Sequence, residues 1–528
     1  MRPTLPPLVA ALGILAAACG GGAPASPAVA EPPPPGRATA SVSVDASRPL
    51  GVLSSRLFGA NIDFNWNANG MLREDGKVFP QVLSALQALG MPNLRAPGGS
   101  SADTYDWKKG VGPGRHGYGA EYGFGTPEFL ALLDSLGAEG LMIANFGTGT
   151  PELMAGWMRD IAKSSRRVTT WEIGNEIYGE WEKGHTDAAD YAKRFASYAS
   201  AARAADPKAK LALVLAPTMK GGGQDYEGWN ETVLPAAGGL ADVASVHVYS
   251  PWHDFFKGAS RDTSVALMAA PEFWEAEIAK IRAALATTKG ASGKPLELWI
   301  TEWNAQHGDD HDWKQRSVTA EQMVFAADMI RVFAEQGVVV AQYYNLFGPY
   351  WGLFDRQGAT DDLRSMLRLR FPPKRRPEDF RLVVRPAAHL FDLYRPLREG
   401  TRIATSVEGP SFSSRKYGSV PPQSAAPALT ALAVRETRGA TSIVLVNRSL
   451  ETTLETSVRL AAKPDSRAEL LVMGGAPLDA NNEDASRTLS PRPAAVRREG
   501  DQWKLELPPA SVARLRVGPP DGGGLVLP

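Results

Sequence analysis

Residues 168–176 read Val168-Thr169-Thr170-Trp171-Glu172-Ile173-Gly174-Asn175-Glu176, and residues 296–304 read Leu296-Glu297-Leu298-Trp299-Ile300-Thr301-Glu302-Trp303-Asn304. Each is a short, largely apolar run that ends in a cluster of polar side chains. A strand buried on both faces has this near-continuous apolar character, and such strands occur in parallel sheets covered by helices. Reading outward, the same unit recurs. Strands are expected at 57–62, 93–96, 140–146, 168–173, 211–216, 243–249, 296–301 and 338–346. Helices are expected between them at 79–89, 126–136, 150–162, 188–204, around Trp274, Ile278 and Ile281, and at 321–334. Thr126-Pro127 and Thr150-Pro151 read as helix starts, with Thr as cap and Pro in the first turn. Eight such strands alternating with helices predict an α/β chain built on a (β/α)8 TIM barrel.

After residue 395 the pattern changes. Short strands at 431–435, 442–446, 453–460, 469–473, 503–507 and 511–517 follow one another with turn residues between and no helical period. That predicts a C-terminal antiparallel β-sandwich. The expected division is 1–18 signal peptide, 19–39 tether, 40–395 barrel, 396–520 sandwich and 521–528 tail, with the strand at 40–44 a candidate to join the sandwich sheet.

The chain has 528 residues, 44% of them hydrophobic, which suits folded domains. Its 57 basic and 57 acidic side chains cancel, so the net basic footprint of a nucleic-acid binder is missing. Arg2 precedes an uncharged apolar run at 8–18, long enough for a signal-peptide core and too short to cross a bilayer. The run ends Ala16-Ala17-Ala18-Cys19-Gly20. Small residues before a cysteine are similar to a bacterial lipoprotein cleavage site. Cys19 is therefore a candidate for lipidation, with an ordinary secretory cleavage nearby as the alternative. It is also the one cysteine of the chain, so no disulfide can form within it. Gly, Ala, Ser and Pro fill residues 20–37, including Pro32-Pro33-Pro34-Pro35, a composition suited to a tether that buries nothing. The expected location is the bacterial cell envelope, lipid-anchored, or else periplasmic or extracellular.

Barrel enzymes carry their reacting groups at the C-terminal ends of the strands. Strand four there ends in Asn175-Glu176 and strand seven in Thr301-Glu302, two glutamates facing each other across one mouth. A buried carboxylate without a partner is expensive. Glycoside hydrolysis uses such a pair, one as proton donor and one as nucleophile. Glu176 is expected to be the acid, its pKa raised by burial and by a like charge nearby. Glu302 is expected to be the nucleophile. Arg95 at the end of strand two, and His247 and Tyr249 on one side of strand six, are candidates to keep Glu302 ionised and oriented. Asn175 is expected to bind the hydroxyl beside the reacting carbon. Aromatic residues crowd the strand-end loops (Trp66, Tyr105, Trp107, Tyr178, Trp181, Trp252, Trp303, Tyr350, Trp351), where sugar faces stack.

The stretches Trp-Glu-Ile-Gly-Asn-Glu and Ile-Thr-Glu-Trp-Asn resemble the acid/base and nucleophile motifs of clan A glycoside hydrolases, and within the clan those of family 51, the α-L-arabinofuranosidases. Arg95 to Gly99, Tyr105-Asp106-Trp107, Gly110-Val111-Gly112-Pro113, Asn145 to Thr150 and Ala341-Gln342-Tyr343-Tyr344-Asn345 support it, as do residues 444–449 and 507–517 near the C-terminus. The resemblance spans nearly the whole chain after residue 40. It implies substrate-binding roles for Asn145, Trp303 and Asn345. Where the family has a Glu after its first strand, this chain has Asn61 and Asp63, which become the candidates. Between Arg95 and Pro97 it has Ala96 in place of a bulky ring.

The activity so implied is retaining hydrolysis of plant polysaccharide or its oligosaccharides, with a carbohydrate as the sole substrate class and no cofactor. Other clan A activities (β-xylosidase, endoglucanase, uronidase) and a non-catalytic carbohydrate-binding surface lipoprotein are the competing readings. The loop His307-Gly308-Asp309-Asp310-His311-Asp312 has metal-ligand residue types but neither calcium-loop nor zinc spacing, so no metal site is expected. Oligomeric state is not legible.

Overall fold

The computed structural model describes residues 36–527, apart from 74–75, 111–115, 118–119, 122–123, 251–259, 306–315, 349–350, 357–380, 461–466, 484–488 and 520–524. The expected signal segment, Cys19, the loop at 307–312, Trp252 and Tyr350 therefore lie outside the described residues, as does the Trp66 side chain.

Eight strands close a barrel: β1 (Gly59–Asn61), β2 (Asn93–Ala96), β3 (Glu139–Ala144), β4 (Val168–Ile173), β5 (Lys210–Val214), β6 (Val243–Ser250), β7 (Glu297–Ala305) and β8 (Val340–Tyr343). Every neighbouring pair is parallel, and β8 returns to β1. The strands are buried on both faces, as their apolar runs require. Helices cover the outside. In Pro151–Ser164 the Thr150 side chain accepts from the Leu153 N–H at 3.2 Å, the cap anticipated from the Thr-Pro pair. The other pair reads differently. Gly125, not Thr126, is the cap of Thr126–Leu136, and Glu128 reaches back to the Gly125 N–H at 2.9 Å. The Thr126 hydroxyl instead accepts from Trp157 Nε1 at 3.0 Å, which ties two helices together.

Two barrel helices carry no clear period. Trp229–Ala237, between β5 and β6, contains Pro235. Pro386–Tyr394, which follows β8 in the chain, is buried on every side. Its Phe391 and Tyr394 rings pack on Phe58 beneath β1, with centroids 5.4 and 5.6 Å apart.

The C-terminal part is a single ten-stranded sheet. It folds on itself, so that Gln502–Leu507 near one end touches Ser511–Gly518 toward the other, around a core of Leu454, Trp503, Leu515 and their neighbours. The N-terminal strand Gly36–Val52 sits in its middle, antiparallel to Thr401–Glu408 and parallel to Thr452–Leu460. The sheet is thus antiparallel apart from that one pair.

Barrel and sheet meet at Arg448, just past the strand Thr441–Asn447. Its guanidinium is buried and donates to both oxygens of Glu272 at 2.7 Å and to Asp328 Oδ2 at 3.0 Å, each acid on a different barrel helix. Thr430 of the sheet donates to Asp328 Oδ1 at 2.6 Å.

Candidate active site

The site lies at the C-terminal ends of the barrel strands. Strand β7 carries a bulge: Ile300 pairs with Val246 and Glu302 with His247, leaving Thr301 between them. A bulge sets two residues against one and re-aims side chains. Here it lets consecutive residues both reach inward. Thr301 Oγ1 donates to Glu172 Oε1 at 3.1 Å, and the Glu302 carboxylate meets Arg95 and Tyr249. The next residue pays for this geometry by turning outward. Trp303, expected at the substrate, instead packs in the core against Phe333 and Tyr343 at 5.2 Å from each, with no exposed surface.

Arg95 is the centre of the constellation and is fully buried. Its planar fork reaches Glu172 at 2.5 Å, Glu302 Oε1 at 2.6 Å, Asn61 Oδ1 at 2.8 Å and Asn175 Oδ1 at 2.9 Å. Only a guanidinium offers so many fixed donors. Burial disfavours its charge, but Glu172 and Glu302 outweigh that and lock the charge in place. Tyr249 donates to Glu302 Oε2 at 2.7 Å, and burial with the nearby carboxylates holds its hydroxyl protonated far into alkali.

Glu176 sits just past β4, in the left-handed region at φ 43°. A non-glycine residue there costs of order 1–2 kcal/mol and persists where surrounding contacts dictate it. Asp103 supplies one: its Oδ2 accepts the Asn175 N–H at 3.1 Å, and its Oδ1 the Phe146 N–H at 3.1 Å. The Glu176 carboxyl is held by His247 Nδ1 at 2.7 Å, Tyr178 Oη at 3.3 Å and Trp181 Nε1 at 3.0 Å. Trp181 is 48% exposed and forms an aromatic wall with Tyr178 and Tyr226 at the mouth.

The pKa of the acid departs from the expectation. Burial pushes Glu176 up, but His247, and then Trp181 and Arg95, outweigh it and hold the carboxyl below its ordinary range. Burial likewise disfavours charge on His247, yet the two carboxylates facing it raise its pKa. His247 Nδ1 lies between Glu176 Oε1 at 2.7 Å and Glu302 Oε2 at 3.7 Å. One ligand atom from each of Glu176, His247 and Glu302 falls within 4.8 Å of the others.

Asp63 lies across the mouth. It accepts from Asn69 and Asn345 at 3.1 Å each and from Tyr344 Oη at 3.4 Å, and burial, with Glu302 nearby, raises its pKa to about 6. The Asn345 side-chain Oδ1 is buried and has no hydrogen-bond partner among the described residues. Two other candidates act as struts. The Asn61 amide is spent on Arg95 and on the Thr301 and Gln342 carbonyls. Asn145 bonds the Tyr105 carbonyl and the N–H groups of Thr148 and Gly149. Among the described residues, every hydrogen-bond partner of Glu176 and Glu302 comes from the barrel.

The sequence reading passed over Glu172, Asp103 and Glu182. Glu172 stands inside its own motif; the others had no signal beyond an acid in a Gly- or aromatic-rich loop.

A closed parallel barrel with two glutamates converging from β4 and β7 is the arrangement of the clan A glycoside hydrolases. No established family profile matches the chain. It is 28% identical over 252 residues to a probable α-L-arabinofuranosidase C of Aspergillus clavatus, covering 40% of this chain and 50% of that one. It is 24% identical over 437 residues to an exo-α-(1→6)-L-arabinofuranosidase of Bifidobacterium longum, covering 73% of this chain and 77% of the relative. The crystal structure of the family 51 arabinofuranosidase from Xanthomonas axonopodis pv. citri superposes with a TM-score of 0.73 at 20% identity, over 91% of this chain and all of that one. The chain spans about half the length of the first of these curated relatives. Within the clan, the resemblance is to family 51.

Proposed function

We propose that the protein is a retaining glycoside hydrolase of the α-L-arabinofuranosidase type, acting on plant polysaccharide or its oligosaccharides. The observation that carries the retaining mechanism is the spacing of Glu176 and Glu302, with one oxygen of each within 4.8 Å of the other, and the likeness to arabinofuranosidases supports the sugar. Retaining enzymes hold their carboxyl groups about 5 to 5.5 Å apart, while inverting ones leave about 6.5 to 9.5 Å for a water. Arg95 and Tyr249 bind both oxygens of Glu302 and orient it as the nucleophile. Glu176 must carry a proton to act as the acid, and His247 Nδ1, hydrogen-bonded to it, is the group that returns one when the sugar excludes water. Glu302 then attacks the anomeric carbon while Glu176 protonates the departing oxygen, giving a glycosyl ester on Glu302. In the second step Glu176, now a carboxylate, takes a proton from water, whose oxygen displaces Glu302.

Turnover of a panel of nitrophenyl glycosides tests the reading, with the anomer released followed by proton NMR. Cleavage of the α-L-arabinofuranoside with retention is expected. Inversion sinks the mechanism, a preference for another glycoside sinks the sugar assignment, and binding without cleavage sinks the enzyme.

The apolar run at 8–18 ending in Ala16-Ala17-Ala18-Cys19 supports a second, separate proposal: Cys19 is lipidated and tethers the enzyme to the cell envelope. Cys19→Ala should release it from the membrane fraction or block its processing; unchanged fractionation and processing would refute this.

A further inference from the structure

We propose that Glu182 is the positioning residue that holds the Asn175 amide with one N–H aimed at the sugar hydroxyl beside the reacting carbon. The inference rests on the glycosidase reading above and adds to it the group that sets this contact.

Glu182 lies in the loop that turns back after Glu176, fixed by its own N–H to the Gly179 carbonyl at 3.0 Å. The residue is 5% exposed. Oε1 accepts from Asn175 Nδ2 at 2.8 Å and from Ser100 Oγ at 2.7 Å. Oε2 is buried without a hydrogen-bond partner among the described residues. Among the described residues no cation bonds the carboxyl. Burial, then the charges of Glu176 and Glu302, push its pKa up to about 7. An acid placed so badly for its own charge is costly, and the contact it makes is with the residue next to the catalytic acid.

The Asn175 amide has three hydrogen-bonding groups to account for besides its backbone: one carbonyl and two N–H. Arg95, which can only donate, claims Oδ1 at 2.9 Å. Glu182 claims one Nδ2 hydrogen. The second hydrogen has no acceptor among the described residues. One anchor would let the amide plane swing about its bond; two anchors fix the plane and so fix the direction of the remaining N–H. That direction matters because Asn175 and the nucleophile converge. A methyl group built on Gly99 would lie 3.1 Å from Glu302 Oε1 and 3.7 Å from both amide atoms of Asn175. A sugar hydroxyl beside the carbon under attack must lie within reach of both groups, and contacts to that hydroxyl strengthen as charge develops in the transition state. With Arg95 on Oδ1 and Glu182 on one N–H, the unclaimed N–H is the group left to meet the hydroxyl, as a donor.

The test compares 4-nitrophenyl α-L-arabinofuranoside with its 2-deoxy analogue, in wild type, Glu182→Ala and Glu182→Gln. Loss of a hydrogen bond aligned on the transition state should lower kcat on the parent substrate by about 10- to 100-fold, with KM moving less. The analogue, which has no hydroxyl to lose, should be nearly unaffected. Glu182→Gln keeps an acceptor oxygen for Asn175 and should recover most of the loss. If Glu182→Ala does not fold, Glu182→Met, which fills the space without an acceptor, carries the same comparison. Equal losses on both substrates, or a Gln variant no better than Ala, would overturn the role of Glu182 while leaving the enzyme assignment intact. A wild type that cleaves neither substrate overturns both.

Discussion

Replacing Arg448 by Met tests whether the sheet holds the barrel together. The substitution keeps much of the side-chain volume and removes the charge. Glu272 then loses its two bonds at 2.7 Å and Asp328 one at 3.0 Å, and the Met268 carbonyl loses a donor at 3.3 Å. Removing one partner of a buried ion pair typically costs about 3–5 kcal/mol, because the other charge stays buried. At about 2.1 cal/mol/K per residue, the roughly 490 residues from Gly36 onward give an unfolding entropy near 1 kcal/mol/K, so Tm should fall by roughly 3–5 °C.

The pH dependence supplies a second check. Burial pushes Asp328 up, but Arg331 and Arg448 outweigh it and hold its pKa at about 2, against 3.8 for an ordinary aspartate. A depressed carboxylate stabilises the fold above its unfolded pKa, and that contribution disappears as pH falls through the folded value. A difference of nearly two units is worth roughly 2–3 kcal/mol at neutral pH. The variant has already lost part of it, so the gap between variant and wild type should narrow as pH drops from 4 toward 2. Urea unfolding at pH 7, 5 and 3 measures both effects. A gap below about 1 kcal/mol at pH 7, or one that does not shrink in acid, would refute the reasoning.

Other outcomes follow from the site. Glu302→Ala should abolish turnover on every substrate; Glu176→Ala should still form the glycosyl-enzyme from an activated aryl glycoside, with added azide restoring turnover, and a failure of azide rescue would count against Glu176 as the acid/base. Trp181→Phe removes the donor 3.0 Å from Glu176 Oε2, so the proton that Glu176 shares with His247 should be held to higher pH and the alkaline limb of kcat/KM move up; a limb that stays put, measured from pH 5 to 9, would discount that contact. Asp63, whose pKa is raised to about 6 from 3.8, favours the protonated form when folded, so it costs stability increasingly as pH rises between those values; Asp63→Asn should melt higher than wild type at pH 8 and equally at pH 3, and should raise KM, while a lower Tm at pH 8 would argue against that sign.

The barrel was legible because burial on both faces writes itself as an apolar run. The spans 93–96 and 168–173 read from the sequence coincide with β2 and β4. The helices that escaped notice did so for physical reasons. Pro386–Tyr394 is buried all round and so has no polar face to give a period, and Trp229–Ala237 carries a proline that reads as a stop. The N-terminal strand could be seen as a strand and as a candidate for the sandwich sheet, which it joins, but its central place there depends on pairing that no local pattern encodes.

At the site, the residues that touch the reacting centre lie at strand ends, where chain position implies spatial position. Hence Glu176, Glu302, Arg95, His247, Tyr249 and Asn175 could be named together, and the structure gathers them in one hydrogen-bonded set. The residues that aim them sit elsewhere. Asp103 and Glu182 come from loops whose course is set only once the barrel closes, and their value lies in what they orient. The bulge in β7 belongs with them. Strict alternation would place Glu302 and Thr301 on opposite faces; the extra residue turns both inward and sends Trp303 out into the core. A strand motif thus names the nucleophile, while a break in the strand's regularity decides which of its neighbours can see the sugar.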